Sequence, residues 1–137
     1  MCKRTPIRPA ILLVLLCAGC SQPDTALIVP GKSVGPYRLH EARSQIHGGG
    51  EQAYTHSAAN GLILSFEGES VSIVSVLSTN YHTAEGVRLG SPENGVFAAY
   101  GQPDKKTADG FWDYRKLGIQ FCCREGKVVL INVLDSW

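Results

Sequence analysis

The 137-residue chain lacks an excess of charge of either sign: Lys and Arg total 13, Asp and Glu total 12, and charged residues are only 18%. Nothing basic is available to grip nucleic acid, and the aromatic residues (8%) do not interleave with a basic stripe. Hydrophobic residues at 44% exclude wholesale disorder. No zinc-type spacing joins His40, His47, His56 and His82, so no metal site and no cofactor is expected. Gly48-Gly49-Gly50 has no following Lys-Ser/Thr of a phosphate loop and reads as a helix stop. Asp104, Asp109 and Asp113 sit beside Lys105 and Lys106, as in a solvated loop rather than a cleft flanked by two carboxylates. The length fits one domain or two small repeats that share a core.

What is present begins with an address. Lys3, Arg4 and Arg8 precede the apolar run Ala10-Ile-Leu-Leu-Val-Leu-Leu16, which is shorter than the roughly 20 helical residues that cross a bilayer. Cys17-Ala-Gly-Cys20 follows, then polar Ser21-Gln-Pro-Asp24. The order of charge, apolar run, small residues and cysteine resembles the lipobox of bacterial lipoproteins, with Cys17 where that family prefers Leu. The resemblance implies a signal peptide over 1–19, cleavage before Cys20 and acylation of its thiol. Ser21 after the cysteine implies delivery to the outer membrane, on its periplasmic side. Cleavage removes three of the basic residues and leaves ten against twelve acidic ones, so no polybasic membrane patch remains. Residues 20–26 read as a tether.

The rest, 27–137, reads as a single α+β domain of two repeats, about 34–77 and 87–134. Tyr37-Arg38-Leu39 matches Val87-Arg88-Leu89 at an offset of 50, and Ile46 matches Val96. Gly61–Phe66 matches Gly118–Cys123, and Val71–Leu77 matches Val128–Leu134, at an offset of 57. The surplus falls near the turn-rich stretch Gln102–Gly110. In the second copy, Ser91-Pro92-Glu93 starts a helix that Gly101 and Pro103 end. Three strands follow: Phe111–Tyr114, Ile119–Arg124 and Val128–Leu134. In the first copy a short helix over Glu41–His47 precedes a weak strand at Ala53–Ser57 and two good ones.

The expected fold is therefore two tandem helix-plus-three-strand units forming one antiparallel sheet with helices on one face. Alternation turns Leu62, Leu64, Phe66, Val74, Val76, Ile119, Phe121, Cys123, Ile131 and Val133 toward the core. Ser65, Gln120, Cys122 and Arg124 fall on a wetter face.

Leu89-Gly-Ser-Pro-Glu93, Val96, Tyr100-Gly-Gln-Pro103 and Trp112-x-Tyr114 together resemble the SmpA/OmlA pattern, over residues 87–134. That family comprises small outer-membrane lipoproteins, one of them an accessory of the outer-membrane protein assembly machine. The tandem arrangement is similar to the β-lactamase-inhibitor-protein architecture, in which two units form one concave sheet that binds a protein. The resemblance implies a non-enzymatic protein that binds another envelope protein through its sheet. Trp112 and Tyr114 are the candidate anchors, since exposed aromatics dominate interface energetics. Cys122 is the candidate redox residue; adjacent thiols on a strand face opposite ways and do not readily bond. The alternatives are a small thiol-dependent or hydrolytic periplasmic enzyme, which needs a base near its nucleophile, and a binder of peptidoglycan or a small ligand.

Overall fold

The computed structural model of the chain describes residues 25–46, 55–58 and 61–137. Cys20 and the stretch 1–24 lie outside these residues, as do His47 and Gly48-Gly49-Gly50.

The described residues form two sheets and one α-helix. The larger sheet contains β4 (Thr55–Ala58), β5 (Leu62–Glu67), β6 (Ser70–Val76), β8 (Lys105–Lys106), β9 (Phe111–Tyr114), β10 (Ile119–Arg124) and β11 (Lys127–Leu134). All seven pair antiparallel in the order β4-β5-β6-β11-β10-β9-β8. The smaller sheet contains β1 (Leu27–Val29), β2 (Ser33–Val34), β3 (Tyr37–Arg38) and β7 (His82–Thr83), in the order β3-β2-β1-β7, with β1 and β7 parallel. Helix α1 spans Glu93–Tyr100.

The expectation of helices over one sheet face is corrected here, because the protein is mostly β. A second sheet and a single helix supply the residues that share the large sheet's core. The helix expected over Glu41–His47 is, within the described residues, one 3₁₀ turn at Arg43–Gln45. Ala42 ahead of it is extended and bridges Ser70, and Ile46 behind it is extended too. The sheet bond draws the backbone straight just where a helix needs to nucleate. Strands β1, β2, β3 and β7 hold two or three residues each, too few for alternation to be legible. In the second copy the helix forms, with Pro92 rather than Ser91 at its N-cap. The Ser91 hydroxyl instead accepts from the Arg88 N–H at 3.0 Å.

The hydrogen bonds around β6 recur around β11. Val71 accepts from the His40 N–H and donates to Glu41, as Val128 accepts from Gly90 and donates to Ser91. Arg43 donates to Glu69 as Glu93 donates to Gly126, and Leu77 donates to Gly61 as Leu134 donates to Gly118. Bulges follow Ser65 and Cys122 at equivalent places. The two meanders meet edge to edge, where Val76 pairs with Ile131 and Val74 with Val133. All four valine and isoleucine side chains at this seam are fully buried. Each such side chain contributes about 1.5–3 kcal/mol of burial.

One face of the large sheet thus carries the core: Leu62, Leu64, Phe66, Ile119, Phe121 and Cys123 are buried with Ile28, Val34 and Val87 from the smaller sheet and its flanks, and with Val96 of α1. Thr25 and Ala26, read as tether, are part of the described fold, and the Ala26 carbonyl accepts from the His82 N–H at 3.0 Å.

Candidate functional site

The opposite face of the large sheet is built by the residues that alternate with the core. Register arranges them in three rows across the strands. Phe111, Cys122 and Leu130 form one row. Asp113, Gln120, Asn132, Ser75 and Ile63 form the next. Leu134, Ile73 and Ser65 form the third. All but Cys122 are half-buried. Rows on one face stand about 7 Å apart, two residues along a strand.

The middle row is a hydrogen-bonded chain. The Ser75 hydroxyl donates to Asn132 Oδ1 at 2.8 Å, and Asn132 Nδ2 donates to Gln120 Oε1 at 2.8 Å. Gln120 Nε2 donates to Asp113 Oδ1. The Arg115 guanidinium lies 3.9 Å from Asp113 Oδ2. Four strands are thereby cross-linked by side chains, so the amides stand in fixed orientations.

Trp137 stands beside the third row with 77% of its surface exposed. Its N–H donates to the Arg115 carbonyl at 3.2 Å, and the Arg115 guanidinium lies 5.1 Å from the indole centroid. A shallow depression of about 140 Å³ opens between Trp137, Leu134, Gln120, Asp113 and Arg115. A second, of about 380 Å³, lies among Trp137, Leu134, Ile73, Ser72, Glu67 and Asp135. The second is the more open of the two.

The Trp112 and Tyr114 side chains belong to the opposite face, although Tyr114 also lines the smaller depression. They are 8% and 3% exposed, on the core face, because Trp112 pairs with Phe121 and Tyr114 with Ile119. Lys106 Nζ sits 3.9 Å from the Trp112 ring centroid. The Tyr114 hydroxyl donates to the Gly101 carbonyl at 2.8 Å, and its ring centroid lies 5.6 Å from that of Tyr100 and 5.9 Å from that of Phe121. Their burial leaves little of either ring for a partner to touch, and Phe111 takes the outward place. Burial lifts the Tyr114 phenol from 10.0 to about 12, and lifts Tyr100 further.

Cys122 also differs from its reading as the more exposed thiol: it is 3% exposed, between Phe111 and Leu130. Cys123 lies on the core face, and both thiols are free. Burial, reinforced by the Glu93 carboxylate, raises the Cys123 thiol from 9.0 to about 11. A buried thiol offers a redox partner little access. His40 Nε2 meets Asp135 Oδ1 at 2.7 Å on the surface, which ties the first meander's lead-in to the end of β11. Among the described residues no three His, Cys, Asp or Glu side chains converge to hold a metal, and no helix is long and apolar enough to cross a membrane.

Sequence reasoning missed Trp137, Leu134 and Ile73. The usable signal was Asn132, a lone amide in the apolar run Val128–Leu134 at the same parity as Gln120. No family model matches this chain, and neither a curated protein nor a solved structure matches it.

Proposed function

We propose that this is an outer-membrane lipoprotein, held on the periplasmic side by acylated Cys20, that docks an envelope protein through the open face of its seven-stranded sheet and performs no catalysis. One observation carries the docking reading. The large sheet is covered on its core face, whereas its other face presents two apolar rows, a fixed polar row and an exposed Trp137 with no cover among the described residues. Exposed apolar area of this kind beside oriented polar groups is what an interface uses. The lipobox-like segment supports the anchor, and acyl chains at about 0.8 kcal/mol per buried methylene hold a protein to a bilayer without a spanning helix. The resemblance of residues 87–134 to the SmpA/OmlA pattern supports an envelope partner. Burial of Cys122 weighs against a thiol enzyme.

Two measurements test this reading. Cys20→Ser is expected to abolish palmitate labelling and release the protein from the membrane fraction; unchanged labelling would overturn the anchor. A photo-crosslinking residue at Leu134 or Ile73 is expected to capture an identifiable envelope protein, whereas the same residue at the exposed Ala84, beyond β7, is not. Equal capture at all three positions, or none at any, would remove the open face as the docking surface.

A further inference from the structure

The smaller depression brings two kinds of surface together. Trp137 and Leu134 give it apolar wall, while Asp113, Arg115 and Gln120 give it a carboxylate, a guanidinium and an amide. The Arg115 guanidinium braces the indole, 5.1 Å from its centroid, and also stands 3.9 Å from Asp113 Oδ2. At 77% exposure most of the indole surface is nonetheless uncovered. We infer that this depression and the polar row leading out of it bind an uncharged oligosaccharide, one sugar ring of which stacks on Trp137. The inference goes beyond the docking reading and does not depend on which protein the face captures.

The chemistry of the lining selects this class of ligand. An anion entering the depression meets the Asp113 carboxylate, and a cation meets the Arg115 guanidinium. A purely apolar group takes water from Asp113 and Gln120 and returns no hydrogen bond, which is costly. A sugar ring has an apolar C–H face, which an indole covers, and a rim of hydroxyls that both donate and accept. The lining offers both roles: guanidinium and amide N–H groups donate, and carboxylate and amide oxygens accept.

The polar row sets the length of the ligand. Gln120 belongs both to the depression and to the chain of bonds that runs on through Asn132 to Ser75. Asn132 and Gln120 each spend one amide hydrogen within the row and keep the other, together with carbonyl lone pairs. Their mutual bonds hold them in place, so little ordering remains to be done on binding. From Asp113 on β9 to Ser75 on β6 the row crosses three strand spacings, about 14 Å. That span is several sugar units long, so a short chain of sugars uses the row where a monosaccharide reaches only the depression.

The test titrates the full-length chain, in a zwitterionic detergent free of sugar, with tetra-N-acetylchitotetraose and with cellotetraose, which share a backbone and differ in their acetamido groups. Calorimetry is expected to detect binding of at least one, with a blue shift in tryptophan emission as Trp137 is covered. Trp137→Ala is expected to remove the shift and to weaken binding about tenfold, the loss of one stacked aromatic contact. Trp137→Phe is expected to restore part of the affinity. Gln120→Leu is expected to weaken binding as well, with circular dichroism confirming the fold. Phe97→Ala, at an exposed ring on α1, is expected to change nothing. Preference for the acetamido sugar supports the site and assigns those groups to the amide row; equal binding supports it through hydroxyls alone. Binding of neither sugar overturns the inference, and so does binding that Trp137→Ala and Gln120→Leu leave undiminished. The photo-crosslinking experiment is read separately: capture without sugar binding keeps the docking face and sinks this site, and sugar binding without capture does the reverse.

Discussion

At Gly118 the backbone turns with φ +74, and a Cβ there would collide with the Leu134 carbonyl oxygen and stand 2.5 Å from Gly31 Cα. Gly126 has nearly the same φ, +76, but nothing lies within 4 Å of its Cβ position. Both lose stability on substitution by Ala through backbone strain, about 1 kcal/mol. Gly118→Ala adds a clash with backbone that cannot move cheaply, and is expected to cost about 3 kcal/mol or more. Urea midpoints of the two variants, measured side by side, check this ordering. A second residue-scale effect comes from the buried Cys123 and Tyr114. Their folded-state ionisation at about 11 and about 12 lies above the ordinary 9.0 and 10.0. Between each pair of values the folded chain binds more protons than the unfolded one, so stability falls as pH rises. It is intact below pH 9, and declines through the window from 9 to 12. Thermal unfolding followed across that range is expected to show a falling Tm, and Cys123→Ala to flatten the slope between 9 and 11.

Strands carry their evidence in alternation, and here the alternation was legible. Leu62, Leu64 and Phe66 in β5, and Ile119 and Phe121 in β10, face the core as their spacing implies. The parity of β9 was not legible, because Phe111, Trp112 and Tyr114 are all large and aromatic. Only pairing with β10 decides which of them is buried. The first-copy helix was misread for a related reason: Glu41–His47 satisfies a local helical pattern, but the bridge from Ala42 to Ser70 is a sheet contact that no local pattern contains. The site was half legible. Gln120 and Ser65 were placed on the wetter face, whereas Trp137 acquires meaning only once Arg115 and Leu134 stand beside it. The seam between β6 and β11 makes its own demand on stability. Ile131 is fully buried opposite Val76, and Ile131→Ala is expected to cost about 2–5 kcal/mol. Ile73→Ala, on the open face, is expected to cost less than half as much in the same denaturant titration.

For the molecule as a whole, the open face ranks above any single side chain as the place to look for activity. A protein built to enclose a reaction arranges its polar groups around a pocket. This one lays Ser75, Asn132, Gln120 and Asp113 in line across a surface. The equivalence of β6 and β11 also has a consequence for how the chain assembles. Each seam strand offers its neighbour nearly the same edge, so while the seam is still unformed, the missing half can be taken from another chain as readily as from its own. Folding of this protein is accordingly a race between closing on itself and trading halves. Refolding yield is expected to fall as the chain is made more concentrated, with exchanged multimers that keep native strand content.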